Sequence, residues 1–433
     1  MPASKPVVVN FSQIADAFGG AEAAFAAHEE VDAPSLDDET AFRAVMSRAI
    51  TALQDAETAP GVLSAPDDAA GSLLQSFIAE QAEAGGLVQP TTGDALEAKF
   101  DKGDYWGWAR GAGWNFLKTK LGRQNRHALL PWPKPSDSVH LPAGAKVAVL
   151  GDWGTGLYGA PRIADAIEQQ GSDYAALVHL GDVYYSGTEK ETAHRLIQAW
   201  PKVDAPSRFC NSNHEMYSGG APYFTETLPT YGQTSSAFVV ETDDWLLIGL
   251  DTAYDEYTLA DGQLEWLGEV LQNQGDRGVV LLSHHMLYPR YPSQHESPAG
   301  LQRQLADVLN SRRVTAWYWG HEHLCSIFDP HPNWGLYGRC VGHSGYPYGR
   351  KDFGDAPLEK LAHDASFRTV AARAEAPQSL VLDGPNHDIG EHADKYGPNG
   401  FMTIELHPGR LREAVCDADG RELWSNEFDV ARP

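Results

Sequence analysis

Short apolar runs that end in polar residues recur along the chain from about residue 145. Four of them are Val147–Leu150, Leu177–Leu180, Val279–Leu282 and Val314–Trp319. Apolar residues spaced three or four apart lie between these runs, as at Ile163, Ala166 and Ile167, which is typical of amphipathic helices. Strands that alternate with helices predict an α/β fold with right-handed βαβ units. Ligands in such folds bind at the carboxyl ends of the strands, so the residues directly after each run are the candidates for chemistry.

Side chains that can bind a metal ion follow each of these runs, and also follow a shorter one at Arg208–Cys210. The candidates are Asp152, Asp182, Tyr185, Asn213, His214, His284, His321 and His323. Each of them alone is also consistent with an ordinary turn or strand exit, so the evidence is their repeated placement at strand ends. Carboxylate, amide, phenolate and imidazole donors together favour iron, manganese or zinc over calcium.

The first 143 residues have a helical pattern instead. One apolar helix face runs from Phe42 to Leu53, and a second includes Leu73, Leu74, Phe77 and Ile78. We therefore predict a mainly helical N-terminal region, 1–143, of unknown role, followed by a catalytic domain at 144–433. The aromatic segment 105–116 either covers the active site or anchors this region on the next domain, and we favour the anchor because aromatic side chains dominate buried contact area. Residues 131–135, Pro-Trp-Pro-Lys-Pro, predict a stiff linker.

The last part of the chain predicts more strands. Ser236–Val240 and Trp245–Leu250 form a predicted hairpin, and three strands near the end, within 401–428, are expected to close the fold. The segment 346–398 is rich in glycine, proline and charge, and its histidines lack the spacing of metal ligands. We therefore expect a long loop excursion there.

Composition limits the partners of this chain. The formal net charge is −26, which disfavours binding to nucleic acid or to anionic membranes. There is no apolar run of about 18 residues, so no transmembrane helix is expected, and the start has no signal-peptide pattern, which predicts a cytoplasmic protein. The four cysteines lie far apart without CxxC spacing, so we expect reduced, buried thiols.

The order of the polar blocks resembles that of the calcineurin-like metallophosphoesterase superfamily, whose pattern is D-x-H/G, GD, GNH[DE], H and GHxH. The resemblance covers the chain from about residue 145 to its end and implies a four-layer α/β/β/α sandwich. Two details are similar to the purple acid phosphatase branch. The first block is Gly-Asp-Trp-Gly, with Gly154 where most of the superfamily has a histidine, and Tyr185 matches the phenolate that replaces this histidine.

This resemblance implies two metal ions. The first, Fe(III), would be held by Asp152, Asp182, Tyr185 and His323. The second, which would be Fe(II), Zn(II) or Mn(II), would be held by Asp182, Asn213, His284 and His321, so that Asp182 bridges the two ions. His284 is chosen over its neighbour because it comes directly after the strand-end Ser283, where the family ligand lies.

Three further histidines receive catalytic roles from the resemblance. His214 matches the family residue that contacts phosphate and helps to protonate the leaving group. His285 either supports the neighbouring ligand His284 or faces the substrate. His295 lies roughly where related phosphatases place another substrate-binding histidine. Ser212 departs from the pattern, because the family has glycine there and a positive φ would suit serine poorly.

The implied reaction is hydrolysis of phosphate monoesters of small molecules by a metal-bound hydroxide. Fe(III) and a divalent ion bring five positive charges, whereas two carboxylates, one phenolate and one hydroxide bring four negative ones. The site would therefore be locally positive and would attract a phosphoryl group, although the protein as a whole is acidic. The alternative is a phosphodiesterase acting on a nucleotide or phospholipid headgroup at the same site. A protein that binds phosphorylated ligands without turnover is a third, disfavoured reading, because no ligand position is lost.

Overall fold

The computed structural model describes residues 7–9, 72, 76, 98–100, 126–154, 156, 159–183, 186–289, 298–346, 348–350, 358–360, 366–388, 393–394 and 396–431. Of the predicted N-terminal helices, Ser72 and Ser76 are helical and buried, and the remaining residues lie outside the described ones. The aromatic segment 105–116 also lies outside them.

The strands form three sheets, one of which is a small pair near the N-terminus. They are β1 (Val7–Val9), β2 (Ala98–Phe100), β3 (Val139–His140), β4 (Ala145–Leu150), β5 (Tyr174–His179), β6 (Ser207–Phe209), β7 (Phe238–Glu241), β8 (Trp245–Gly249), β9 (Gly278–Ser283), β10 (Val314–Trp319), β11 (Cys325–Phe328), β12 (Tyr337–Val341), β13 (Leu358–Lys360), β14 (Ser366–Val370), β15 (Ser379–Asp383), β16 (Gly400–His407), β17 (Arg410–Asp417) and β18 (Glu422–Asp429). The parallel pair of β1 and β2 adds strands to a region predicted to be mainly helical.

Helical segments connect many of these strands. They are α1 (Gly159–Gln169), α2 (Glu189–Glu191), α3 (Asn213–Met216), α4 (Leu228–Thr230), α5 (Gln263–Gln272), α6 (Ala299–Gln304) and α7 (Ala306–Asn310), with π-helical turns at Thr192–Ile197 and Tyr223–Thr227 and 3₁₀ turns at Pro135–Asp137 and Gly171–Asp173. The predicted linker 131–135 is packed rather than free, because the Trp266 indole of α5 donates to the Pro133 carbonyl at 3.0 Å.

The two larger sheets are mixed. One has ten strands in the order β13-β14-β15-β11-β12-β10-β9-β8-β7-β3, and the other has six in the order β18-β17-β16-β4-β5-β6. Strands β4, β5 and β6 are parallel, as are β8, β9 and β10, so several carboxyl ends meet at one edge of each sheet. The predicted hairpin (β7 with β8) and the closing strands (β16 to β18) are confirmed as antiparallel.

The two sheets pack face to face around a buried apolar layer. Val149 and Ile404 of the six-stranded sheet lie in one cluster with Leu282 and Phe238 of the ten-stranded sheet. Helix α1 covers the outer face of the smaller sheet, and α5 to α7 cover that of the larger sheet. This arrangement confirms the predicted α/β/β/α sandwich.

A buried ion pair joins the two sheets inside this layer. The Arg339 guanidinium of β12 donates from Nε to both carboxylate oxygens of Glu413 in β17, at 3.0 and 2.9 Å. The Tyr318 hydroxyl of β10 donates to the same carboxylate at 2.7 Å. Since all three side chains are almost fully buried, the carboxylate depends on these donors for its solvation.

Two segments near the predicted limits belong to the ten-stranded sheet. The segment 346–398 is not one loop excursion, because β13 to β15 lie in it and extend the ten-stranded sheet through β11. Phe367, Val381 and Leu382 of these strands are buried, but the glycine, proline and charged residues around them hid the strands in the sequence. Strand β3 pairs with β7, so residues 139–140 also belong to the ten-stranded sheet.

Within the described residues, no helix has the length and apolar character needed to cross a lipid bilayer. The four cysteines are buried and free, which confirms the prediction made for them.

Candidate metal centre

Side chains from five strand ends converge between the two sheets. Asp152 follows β4, Asp182 follows β5, and Asn213 begins α3 shortly after β6. From the larger sheet, His284 follows β9, and His321 and His323 follow β10. Two groups of potential ligands result: His284 with His285 and His321, and Asp152 with Asp182 and His323, each with its donor atoms within 4.8 Å of one another.

His284 lies at the centre of the first group. Its Nδ1 is 2.9 Å from the carbonyl oxygen of Leu180, which can only accept, so Nδ1 carries the proton and Nε2 a lone pair. Nε2 in turn lies 2.8 Å from Asn213 Oδ1, 3.1 Å from His321 Nδ1 and 3.2 Å from Asp182 Oδ1. Lone pairs that face one another at such distances repel unless a proton or a cation lies between them.

The second group is centred on two buried carboxylates. His323 Nε2 lies 3.5 Å from Asp152 Oδ1 and 3.7 Å from Asp182 Oδ2. The backbone N–H of His321 donates to both oxygens of Asp152, at 3.0 and 2.9 Å, and thereby fixes that carboxylate. The Asp182 carboxylate therefore faces His284 with one oxygen and His323 with the other.

The backbone at these donors is unusual. Four of the candidate ligands have a positive φ, a conformation that costs a non-glycine residue free energy. They are Asp152 (54°), Asp182 (77°), His321 (71°) and His323 (52°). Neighbouring glycines leave room for the carboxylates, since a Cβ at Gly320 or Gly342 would lie 2.6 or 2.7 Å from Asp152 Oδ2.

The protonation of these groups reflects their burial. Burial, together with the nearby Asp182 carboxylate, raises the pKa of Asp152 well above its ordinary value. Burial alone would also raise the pKa of Asp182, but His284 and His214 beside it hold this pKa well below its ordinary value. Burial lowers the pKa of His284 to about 3, so its imidazole is neutral, as a metal ligand must be.

The contacts within the two donor groups bear on whether each group would hold a metal ion. The lone pair of His284 Nε2 faces an amide oxygen and an Asp182 carboxylate oxygen, and the carboxyl groups of Asp152 and Asp182 are both buried beside His323. A cation in each group would remove that repulsion and the conflict between the two buried carboxylates. The donor set fits iron, manganese or zinc, as predicted from the sequence.

The other predicted residues divide into two sets. Tyr185 and His295 lie outside the described residues. His214 is buried beside Asn213 in α3, and the amide nitrogen of Asn213 donates to the Tyr217 hydroxyl at 2.9 Å, which turns Oδ1 towards His284. His285 is buried, its Nδ1 lies 3.1 Å from Thr252 Oγ1, and its Nε2 has no hydrogen-bond partner among the described residues.

Ser212 fits its position without strain. Its φ is −134°, so the turn before Asn213 does not need the positive φ that glycine would supply. Its hydroxyl donates to the Glu215 carboxylate and caps the short helix α3.

Two supporting features were missed in the sequence. Glu215 accepts the backbone N–H of Asp182 at 3.3 Å, and burial next to Asp182 raises its pKa to about 8. The loop 251–257 after β8 contacts two of the histidines through Thr252 and Tyr257. Both had a usable signal: the acidic residue after Asn-His, and the polar residues Asp251 and Thr252 at the end of another apolar run.

Comparison with known proteins agrees with this geometry. Residues 145–325 match the family model described as calcineurin-like phosphoesterase. This match confirms the resemblance of that part of the chain to the calcineurin-like superfamily. No curated protein matches the chain.

Three solved structures are among those that are similar to this chain. A purple acid phosphatase, PPD1, from yellow lupin (Lupinus luteus) has 15% identity and a TM-score of 0.47, with 69% of this chain and 55% of that chain covered. GAP50, described as the anchor in the inner membrane complex of Plasmodium, has 12% identity and a TM-score of 0.45, with coverage of 66% and 89%. A dimetal phosphatase from Danio rerio has 12% identity and a TM-score of 0.40, with coverage of 67% and 100%. The chain therefore spans about half the length of the lupin protein.

Proposed function

We propose that the protein hydrolyses phosphate monoesters at a dinuclear metal centre. The observation that carries this proposal is the position of the Asp182 carboxylate, with Oδ1 at 3.2 Å from His284 Nε2 and Oδ2 at 3.7 Å from His323 Nε2. A carboxylate between two separate donor groups is placed as a ligand shared by two ions would be.

The proposed ligands follow the two groups. Fe(III) is assigned to Asp152, Asp182, Tyr185 and His323. A divalent ion, which is Fe(II), Zn(II) or Mn(II), is assigned to Asp182, Asn213, His284 and His321. When bound, the two ions supply positive charge for the phosphoryl oxygens and lower the pKa of the attacking water.

The iron assignment and the preference for monoesters rest on Gly154 and Tyr185. Gly154 offers no side chain where most of the superfamily has histidine, and its N–H donates to the Asp182 carbonyl at 2.9 Å. A position without an imidazole leaves a place among the donors of Asp152, Asp182 and His323 for the Tyr185 phenolate.

His214 is the proposed proton donor to the leaving group. It is buried directly beside Asn213 and lies close enough to Asp182 to lower the pKa of that carboxyl. A protonated imidazole there can donate a hydrogen bond to a phosphoryl oxygen and then pass its proton to the departing alkoxide. His285 and His295 are assigned to contacts with the phosphoryl group.

The experiment compares two chromogenic substrates. The metal-loaded protein is expected to hydrolyse p-nitrophenyl phosphate faster than bis-p-nitrophenyl phosphate, and a chelator should abolish both rates. Faster cleavage of the diester would show a phosphodiesterase, and no turnover of either ester with both ions bound would show a binding protein. Visible absorption and elemental analysis test for iron, since a colourless protein with two zinc or manganese ions contradicts the Fe(III) assignment.

Asp182→Asn removes the shared carboxylate charge. We expect activity to fall roughly 100-fold or more, because loss of a residue that only supports a ligand already costs about 10–100-fold. Asp173→Asn is the matched control, because Asp173 is exposed and lies at the opposite end of the same strand, β5. Unchanged activity in Asp182→Asn would contradict the proposed centre.

A further inference from the structure

Tyr257 contacts one of the candidate ligands from outside the two donor groups. Its hydroxyl oxygen lies 2.8 Å from His321 Nε2, while His321 Nδ1 lies 3.1 Å from His284 Nε2. The two nitrogens of one imidazole thus face in different directions, one towards the donors and one towards the tyrosine. Which nitrogen carries the proton decides whether His321 can bind a metal ion.

We propose that Tyr257 is a positioning residue of the metal centre: its hydroxyl accepts the Nε2–H of His321 and keeps Nδ1 unprotonated and directed towards His284. This inference rests on the proposed function, because it assigns a partner to one of the proposed ligands. Histidine ligands usually donate their other ring N–H to such a partner, which fixes both the tautomer and the ring orientation.

The backbone of Tyr257 supports a specific role. Its φ is 58°, in the left-handed region that glycine or asparagine occupies at lower cost. The N–H of Tyr257 donates to the Thr252 carbonyl at 3.0 Å, which holds the turn in this conformation. Such a strained conformation persists only where the surroundings enforce it, and residues of this kind cluster at functional sites.

The Tyr257 ring packs against two histidines. The Tyr257 ring centroid lies 4.1 Å from that of His285 and 5.7 Å from that of His321. Thr252, near the start of the same loop, also contacts His285, because its Oγ1 lies 3.1 Å from His285 Nδ1. The loop 251–257 therefore restrains both histidines.

This loop is tied to the centre at its base. The buried Asp251 carboxylate accepts the N–H groups of Ala253 and Tyr254, at 3.0 and 2.8 Å. It also accepts the Asn211 amide, at 3.2 Å to each oxygen, and Asn211 lies two residues before the candidate ligand Asn213. The loop and the turn that carries Asn213 are thus held by one carboxylate, which makes the loop a rigid support.

The test uses Tyr257→Phe, which removes the hydroxyl and keeps the ring. The metal-free full-length protein is titrated with Co²⁺, followed by its d–d absorption and by calorimetry. We expect one of two Co²⁺ ions to bind about 10–100-fold more weakly in the variant, the usual effect of losing such a partner. Binding of the other ion and unfolding of the metal-free protein in urea should stay unchanged.

Two controls separate positioning from a general effect on structure. Tyr254→Phe makes the same change in the same loop, where the hydroxyl donates to the His127 carbonyl at 2.9 Å, and it should leave both Co²⁺ affinities unchanged. In a His321→Ala background, Tyr257→Phe should cause no further loss, because the hydroxyl acts through that imidazole.

The possible failures are distinguishable. Two unchanged Co²⁺ affinities in Tyr257→Phe, or the same loss in the His321→Ala background, would overturn the inference and leave the proposed function intact. Equal weakening of both ions together with lower stability would also overturn it, since the hydroxyl would then support the fold. No Co²⁺ uptake by the unaltered protein would overturn the proposed metal centre itself.

Discussion

A single added methyl group at Gly320 should disturb the candidate metal centre. A Cβ at this position would lie 2.6 Å from Asp152 Oδ2 and 3.4 Å from both His284 Nδ1 and the Leu180 carbonyl oxygen. The Gly320 N–H bond to the His284 carbonyl, at 3.1 Å, is unaffected by the change to alanine. Gly320→Ala therefore acts on the carboxylate rather than on the strand.

The geometry gives the size of the effect. Relief of the contact to 3.4 Å requires Asp152 to move by about 0.8 Å, although two N–H bonds from His321 hold it. Overpacking of this kind costs about 1–3 kcal/mol of stability. Because metal sites tolerate ligand displacements of only about 0.2 Å, we also expect metal affinity to fall. The fall should be at least the roughly 10–100-fold loss seen when supporting contacts are disturbed.

The assay measures urea unfolding of the metal-free protein and calorimetric binding of Zn²⁺. Gly268→Ala is the matched control, because a methyl group there meets nothing within 4 Å and Gly268 lies inside α5. Alanine in a helix is favoured over glycine by up to about 1 kcal/mol, so the control should be slightly more stable and should bind Zn²⁺ normally. Gly320→Ala with unchanged unfolding and unchanged affinity would refute the close packing of Asp152 against β10.

Three further changes test other parts of the structure. Tyr185→Phe should remove the visible absorption of the iron-loaded protein while part of the hydrolysis remains; retained colour would rule out this phenolate as a ligand. Arg339→Met should cost about 3–5 kcal/mol in urea unfolding, because Glu413 is left buried and unpaired, and a loss below about 1 kcal/mol would contradict that pairing. Burial lowers the pKa of His343 to about 3 in the folded protein. Between pH 6.5 and pH 3 the imidazole therefore binds a proton only in the unfolded chain, so the free energy of unfolding falls as the pH is lowered through this range. His343→Met should reduce this slope in urea unfolding between pH 7 and pH 5, whereas His194→Met, at an exposed position, should not.

The sequence predicted the donors because each one follows a buried run. A parallel strand ends at the same edge as its neighbours, so Asp152 and Asp182 had to lie side by side once β4 and β5 were adjacent. The same reasoning placed His284 and His321 at the ends of β9 and β10. The strand ends therefore identified these candidates without knowledge of how the sheets pack, and the family resemblance selected His284 over His285.

The supporting contacts could not be predicted in the same way. Tyr257 reaches His321 across 64 positions of the chain, and only because its own φ is positive, which a tyrosine rarely adopts. The strands β14 and β15 were not predicted from the sequence for another reason. The composition of the segment hid them, because the two arginines that pair with Asp383, Arg350 and Arg368, add charge to a stretch that is rich in glycine and proline.

The packing of the two sheets brings the donors and their supporting contacts together. Asp152 and Asp182 come from the six-stranded sheet and His323 from the ten-stranded sheet, so neither sheet alone supplies the second donor group. His284 likewise meets Asn213 and Asp182 only across the interface between the sheets. Ions that bind across this interface would stabilise the packed state over any state in which the sheets separate. Metal affinity would therefore report on sheet packing as well as on the donors themselves, and a change far from the centre, in the layer between the sheets, would weaken binding without touching a ligand.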